Sequence, residues 1–501
     1  MSEPSIAPVT ADPPTDHSDR SVDRSLVHGI AWTAVVKVFV QIVRWGSTLV
    51  IARLLTPHDY GLVGMALVYT GLVRLVNEFG ISAAIIQKRN LTSDQLARIG
   101  GFSALLGLGF ASLSVAAAGA VALFFDAPEV RLIIIVLSAN FVLRGIQMLP
   151  KALLSRDLRY RQLAWIDGAE AIALAGGTLA LAIAGFGYWA LVLGSVLAPL
   201  VGLATAEIIR PHRITLPRPL HTIADAISFG WEVVAARLAW YTYSNADFAV
   251  VGRMLGDAAL GAYTFGWTLA SLPVERVSAL VDRVTPGVFS RVQTDPTALR
   301  RYLLALTEGL AIVTFPIAAG FALTAREFVV VVLGPQWTPA IVPLTLLSAY
   351  AGFRSITTLY PKILVATGHT RTNMRFNFVA ALVLPAAFVI GARWGTAGVA
   401  TAWILVYPFV VVPLHMRFAF RLVGVQWGVY ARSLRPAIVS TMVMGIAVLG
   451  VRAMMPLSWP PLAALFALAT TGAGVYITIV LVAYRDRIAR FRTFVRTGGT
   501  A

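Results

Sequence analysis

Cysteine is missing from all 501 residues. Its absence excludes disulfides and thiolate-held metals. Charge is scarce too: Asp, Glu, Lys and Arg make up 13% of the chain, against roughly 25% in a water-soluble domain. There are only four lysines, Lys37, Lys88, Lys151 and Lys362. None follows a glycine, so there is no Walker A loop and ATP hydrolysis is not expected. The seven histidines (His17, His28, His58, His212, His221, His369 and His415) are scattered and form no HExxH pair, so no metal site is expected. The formal charge of +17 is not gathered into a soluble basic patch, and nucleic acid is not an expected partner.

What the chain has instead is apolar length. Hydrophobic residues fill 57% of it. Fourteen apolar segments follow one another: about 25–52, 60–82, 99–124, 132–150, 162–185, 188–209, 226–252, 260–281, 302–324, 340–361, 376–392, 396–416, 436–455 and 460–484. A helix needs roughly 20 apolar residues to cross a bilayer core, and these runs are too long for strands. The expectation is an all-α polytopic membrane protein with about 14 transmembrane helices. Internal prolines such as Pro199, Pro273, Pro316 and Pro385 are tolerable where neighbouring helices re-satisfy the backbone.

The basic residues give an orientation. Odd-numbered connections carry six: Arg53, Arg131, Arg253, Arg326, Arg393 and Arg452. Even-numbered connections and the two tails carry 28. The positive-inside rule places the richer side in the cytoplasm. Both termini are then cytoplasmic, and the number of spans is even. No odd-numbered connection has the length of a catalytic domain.

The chain also repeats. Val50–Gly64, VIARLLTPHDYGLVG, returns as Val250–Thr264, VVGRMLGDAALGAYT, and Pro150–Leu153, PKAL, returns as Pro361–Leu364, PKIL. The offset spans six helices, so two halves share one orientation about an axis along the membrane normal. The expected domains are a disordered tail (1–24), an N-lobe of helices 1–6 (25–209), a linker (210–225), a C-lobe of helices 7–12 (226–420), helices 13–14 outside the repeat (421–484) and a basic tail (485–501). This is a pair of pseudo-symmetric six-helix lobes with two extra C-terminal helices.

Seven cations fall within spans: Lys37, Arg44, Arg74, Arg144, Arg237, Arg276 and Arg354. Each costs roughly 2.5–3.5 kcal/mol at mid-helix against lipid, so they should face water, carboxylates or ligand. Helical spacing puts several on polar stripes: Thr33, Lys37, Gln41, Arg44 and Thr48 on helix 1; Asn140, Arg144, Gln147 and Lys151 on helix 4; Arg237, Tyr241 and Ser244 on helix 7; Tyr350, Arg354, Thr357 and Pro361 on helix 10. Seven carboxylates also lie in spans: Glu78, Asp167, Glu170, Glu232, Asp247, Glu275 and Glu308. Arg74 has Glu78 one turn on, a spacing that suits a structural pair. The other cations have no same-helix carboxylate at that spacing. Asp247 and Glu308 have no same-helix cation three or four residues away, which makes them candidates for H⁺ or Na⁺ coupling; an inter-helix salt bridge is the alternative for each.

ARLLTPHDYGLVGMA (Ala52–Ala66), LVNEFGISAAIIQKRNLTSDQL (Leu75–Leu96), LPKALLSRDLRYRQLA (Leu149–Ala164) and GFGYWALVLGS (Gly185–Ser195) resemble the Wzx-type polysaccharide flippases. These belong to the multidrug/oligosaccharidyl-lipid/polysaccharide exporter superfamily. The resemblance runs from about residue 25 to 485. It implies two lobes forming a V, alternating access, and a cationic cavity for the pyrophosphate of an undecaprenyl-linked oligosaccharide. On that reading Lys37, Arg44, Arg74, Arg144, Arg237, Arg276 and Arg354 bind substrate, and Gln41, Asn140, Gln147 and Tyr241 line the polar cavity. The implied role is translocation across a bacterial inner membrane for exopolysaccharide, O-antigen or lipopolysaccharide synthesis, with no cofactor. Partners would be the lipid-linked oligosaccharide, membrane lipids, and a polysaccharide polymerase and chain-length regulator. Two other classes remain open: an organic-cation antiporter of the same superfamily, which favours an acidic aromatic cavity, and a membrane polysaccharide polymerase, which favours a long outer loop.

Overall fold

The computed structural model describes residues 46–77, 85, 91–215, 231–456 and 458–485. Lys37, Gln41, Arg44 and Glu78 lie outside them, as does the side chain of Arg237. Among the described residues there is no strand. The main helices are α1 (46–54), α2 (Pro57–Asn77), α3 (Ser93–Phe125), α4 (Glu129–Arg156), α5 (Tyr160–Ile183), α6 (Tyr188–Ile209), α7 (Trp231–Leu255), α8 (Asp257–Arg291), α9 (Pro296–Leu323), α10 (Ile341–Thr357), α11 (Thr370–Gly391), α12 (Gly395–Val406), α13 (Trp427–Met454) and α14 (Pro461–Ala483). Nine stretches of the described chain are long and apolar enough to cross a membrane. The paired helices α7 and α8, with charges such as Arg237, Asp247, Glu275 and Arg276 in their interiors, are not among the nine.

Local chemistry sets several boundaries. Before α3, the Thr92 hydroxyl accepts from the Gln95 amide at 3.2 Å, and the Gln95 side chain accepts from Thr92 N–H at 2.9 Å. This reciprocal box satisfies two orphan donors. Asp295 caps α9 with Pro296 in the first turn, where the missing N–H costs nothing. α6, α8, α9 and α11 run unbroken through Pro199, Pro273, Pro316 and Pro385. At Pro408 the helix instead widens into a π turn, Tyr407–Val411, because proline has no N–H to return to the preceding turn.

The packing repeats along the chain. In the first half α3 packs on α4, α4 on α6, α5 on α6 and α2 on α4. In the second half α9 packs on α10, α10 on α12, α11 on α12 and α8 on α10. Each pair in the first set recurs six helices later. The last two helices sit outside this pattern: α13 packs on α9 and carries α14, and the Tyr476 hydroxyl donates to the Ile312 carbonyl at 2.6 Å.

The buried core differs at the two ends of the bundle. At the end of the odd-numbered connections a single apolar core joins both halves, from Leu62, Met65 and Ile133 to Leu260, Tyr263, Trp337 and Trp403. At the other end the cores formed by the described residues are separate. Ile85, Leu149 and Leu153 form one, Leu154, Ile166 and Ala206 another, and Phe289, Leu303, Tyr360 and Phe420 belong to a third in the second half alone.

Polar contacts reinforce the joined end. α2 and α8 cross backbone to backbone: a Cβ on Gly61 would collide with the Asp257 carbonyl, and one on Gly261 with the Pro57 carbonyl. Only glycine admits that approach. The segment between α9 and α10 clasps the end of α1. The Arg53 guanidinium donates to the Val332 carbonyl at 2.8 Å and to that of Val331. Gln336 donates to the Arg53 carbonyl at 3.2 Å, and the buried Trp337 indole N–H to the Ala52 carbonyl at 2.7 Å.

Candidate translocation site

The second half encloses a cavity of about 420 Å³, within the range of small-molecule sites. α7 supplies Trp240, Tyr243, Ser244, Asn245 and Phe248, and α8 supplies Trp267. α10 and the short helix after it supply Tyr350, Arg354, Thr357, Pro361 and Lys362; α11 supplies Asn373 and Asn377. α12 and its π turn supply Trp403 and Tyr407. The rings form one cluster. Tyr350 lies 4.7 Å from Trp403 and 5.4 Å from Tyr407, and Trp267 lies 5.5 Å from Trp403. The Arg354 guanidinium sits 5.8 Å from the centre of the Trp267 ring, a cation–π distance, and 3.5 Å from Glu275.

Beneath the rings lies Asp247, fully buried. Its Oδ2 accepts from the Tyr263 hydroxyl at 2.9 Å and from the Trp403 indole N–H at 2.8 Å. Its Oδ1 has no hydrogen-bond partner. Asp247 is therefore held by neutral donors, not by the inter-helix salt bridge that is the sequence's alternative. The carboxylate also fixes the face that Trp403 turns toward the cavity.

The first half gathers its polar residues differently. Lys151 reaches Glu170 at 2.8 Å and Asp167 at 3.0 Å. Gln147 donates to Glu170 at 2.6 Å, and Arg144 lies 4.0 Å from it. Lys151 and Lys362 occupy the same place in the PKAL and PKIL echoes. Their surroundings have diverged: α5 carries Asp167 and Glu170, whereas α11 has no acidic residue and contributes Asn373 and Asn377.

The structure thus brings Arg144 and Gln147 together around Glu170, and Arg354 into the second cavity. Asn140 keeps a buried side-chain oxygen without a partner. Tyr241 reaches across to α2, donating to the Val68 carbonyl at 2.9 Å. Arg74 closes α2 and is exposed, as is Arg276 on α8; Glu308 is half-buried on α9. Among the described residues no group of three His, Asp or Glu side chains is placed to hold a metal. Sequence reasoning missed the aromatic cluster. Its rings come from four helices, so no single helical period displays it. The Tyr350–Arg354–Thr357–Pro361 stripe was the visible part of the wall.

The described residues form a helical bundle of long apolar helices with repeated packing and an aromatic, polar cavity in the second half. Its fold is that of the multidrug/oligosaccharidyl-lipid/polysaccharide superfamily. The solved lipid II flippase MurJ, in an inward closed conformation, superposes with a TM-score of 0.74 at 13% identity, over 91% of this chain and 100% of that one. An inward-facing multidrug resistance MATE transporter gives 0.57 at 14% identity, over 76% and 98%. Residues 50–342 match the family described as polysaccharide biosynthesis protein, and the chain belongs to that family. The match agrees with the Wzx-type resemblance of its motifs. Among curated relatives, lipopolysaccharide biosynthesis protein WzxC of Escherichia coli (strain K12) is 25% identical, over 77% of this chain and 79% of that protein. Teichuronic acid biosynthesis protein TuaB of Bacillus subtilis (strain 168) is 24% identical over 86% and 90%. Succinoglycan biosynthesis transport protein ExoT of Rhizobium meliloti (strain 1021) is 21% identical over 82% of each.

Proposed function

We propose that this protein carries an undecaprenyl-pyrophosphate-linked oligosaccharide across the inner membrane by alternating access. The product would feed exopolysaccharide, O-antigen or lipopolysaccharide synthesis. The observation that carries the reading is the asymmetry of the core: fused between the halves at one end, separate at the other. Two lobes whose apolar core, among the described residues, is shared at the outer end suit a V open toward the basic, cytoplasmic side. On this reading fourteen helices span the membrane, α1–α6 and α7–α12 are the lobes, and both termini are cytoplasmic.

The substrate brings about two negative charges into a region of reduced dielectric, where an unpaired charge is very costly. Lys37, Arg44, Arg237 and Arg276 would offset that cost with charge-assisted hydrogen bonds. Arginine suits the task because its planar fork holds two phosphate oxygens at once. The prenyl tail can remain in lipid, so the protein need not enclose it. The relatives WzxC, TuaB and ExoT are described as proteins of lipopolysaccharide biosynthesis, teichuronic acid biosynthesis and succinoglycan biosynthesis transport, and MurJ as a lipid II flippase. One observation favours an organic-cation antiporter, the aromatic cluster above buried Asp247. Arg354 and Lys362 in the same wall disfavour a cation.

Export in a deletion strain tests the reading. Arg44→Ala, Arg237→Ala and Arg276→Ala should each impair export while the protein remains in the membrane. Arg→Lys should restore it only in part, because the charge is kept and the fork is lost. Wild-type export from a well-expressed triple alanine variant would make these cations structural.

A further inference from the structure

The last third of the chain carries no counter-charge of its own. From Phe328 to Arg485 there is not one Asp or Glu. Two arginines of that stretch, Arg354 and Arg452, reach back to Glu275 and Glu327. Arg417 and Arg421 have no ion pair among the described residues. On the same, even-numbered side of the first half, cations are answered by carboxylates: Arg98 by Asp94 at 2.7 Å, and Arg210 by Asp157 at 3.2 Å. Arg417 and Arg421 line an open cavity of about 460 Å³, together with Phe420, Gln426 and Trp427. We propose that this cavity seats the headgroup of an anionic phospholipid of the surrounding membrane, with its phosphate between Arg417 and Arg421 and its chains along the exposed apolar face of α13.

Position, shape and continuity all suit a lipid more than a soluble anion. The cavity lies where one stretch long and apolar enough to cross the membrane, Thr370–Val423, gives way to the next, Trp427–Met454. A junction between two spans sits at the depth of the headgroups. Beyond the π turn the helix resumes over Val412–Val423, with Ala419, Phe420 and Val423 buried. Arg417 and Arg421 stand one turn apart and exposed, so they share a face. Two planar forks on one face can hold the oxygens of a phosphodiester between them. The chain then turns at Gly424, whose φ of +64° costs glycine little, and Trp427 comes alongside. Its ring centre lies 5.1 Å from that of buried Phe420, which holds the indole in place while it stays 55% exposed. An indole at a span end belongs where headgroup meets chain, with its body in lipid and its N–H toward oxygen. Ile438 and Met442 lie further along the Trp427 face of α13 and are exposed. They offer acyl chains a track that a free phosphate would not use. Basic clusters beside spans are where anionic lipids gather. The site needs only a membrane surface at this depth and is independent of the cargo.

The cysteine-free chain permits a direct test on the full-length protein in lipid nanodiscs. Gln426→Cys places a thiol in the cavity wall, and the Gln426 side chain makes no capping hydrogen bond that α13 would lose. Tyr160→Cys, exposed at the start of α5 on the same side, reports the general effect of surface charge. Labelling by an uncharged, water-soluble maleimide is timed in phosphatidylcholine discs with rising phosphatidylglycerol. Gln426→Cys should slow several-fold and saturably, while Tyr160→Cys changes little. Adding Arg417→Ala should raise the phosphatidylglycerol needed for half-protection about fivefold, and adding Arg421→Ala as well should raise it by about tenfold or more. Lysine at both positions should restore only part of the protection, because the fork is lost. Parallel slowing of Gln426→Cys and Tyr160→Cys would be surface charge alone and would overturn the site. So would undiminished protection in the double alanine variant. Equal protection by inorganic phosphate in phosphatidylcholine discs would assign the cavity to a soluble anion, and stronger protection by undecaprenyl pyrophosphate than by phosphatidylglycerol would assign it to the cargo; either result overturns the proposal. No arm measures export, so a failure here leaves the export reading standing, and a failure of export leaves this site standing.

Discussion

Asp247 is the residue whose chemistry is least explained by packing. A fully buried carboxylate normally needs a cation, a metal or several donors to remain charged. Asp247 has two neutral donors, Tyr263 and Trp403, on one oxygen and none on the other. Such a group is suited to taking up and releasing a proton as its surroundings open and close. Trp403 belongs to both the carboxylate and the cavity wall, so a proton-coupling role for Asp247 would act on that wall. Asp247→Asn keeps an oxygen to accept from Trp403 but cannot titrate. We expect it to leave the protein folded and inserted while abolishing the response of export to an imposed ion gradient. Glu308→Gln is the companion variant on α9. If both export normally under every gradient, neither residue couples transport.

At the scale of elements, the crossing of α2 and α8 shows how far the sequence could be read. The echo of Val50–Gly64 in Val250–Thr264 places Gly61 on Gly261. In the structure each of these glycines lies against the first residue of the other helix, Gly61 on Asp257 and Gly261 on Pro57. Pro57 and Asp257 are themselves equivalent positions of the repeat. The shared glycine therefore marks where the halves touch about their own pseudo-axis. Helix existence was legible for the same reason as the repeat: apolar length and local periodicity are properties of neighbouring residues. The joints between helices were not. The ties of Arg53 and Trp337 across nearly three hundred residues, the sharing of Glu170 between Gln147 and Lys151, and the four-helix aromatic wall depend on which helices become neighbours. The crossing yields a prediction. Gly61→Val must separate α2 from α8, since a Cβ there meets backbone, which cannot swing aside. The joined end should open and favour the opposite state of the V. Thr264→Cys, facing Gly64 one turn deeper, should then react with maleimide several-fold faster in Gly61→Val than beside Gly61. Equally slow labelling in a folded Gly61→Val protein would mean the crossing is no gate.

At the scale of the whole molecule, contacts between connections test the topology from inside the fold. The connections after helices 1, 7 and 9 meet. Arg53 is bound by Val331 and Val332, Trp337 reaches Ala52, and His58 Nδ1 lies 2.9 Å from Asp257. The connections around helices 2, 4 and 6 meet as well. Arg210 pairs with Asp157 at 3.2 Å, and Thr215 N–H donates to the Ala97 carbonyl at 3.2 Å. Odd joins odd and even joins even, which requires each intervening helix to cross from one face to the other. The basic residues concentrate on the even face, and lysine and arginine near span ends are retained on the cytoplasmic side. The connection between α7 and α8 should then be outside. Gly256 itself adopts φ +86°, where a side chain is strained, so the exposed neighbour Ala258 is the better reporter. In intact cells a membrane-impermeant maleimide should label Ala258→Cys, and Arg159→Cys, beyond α4, only after the membrane is permeabilised. The reverse pattern would invert the protein in the membrane and place the open end of the V away from the cytoplasm, where lipid-linked precursors could not enter it. Labelling of both positions in intact cells would break the alternation of helices on which the two-lobe arrangement depends.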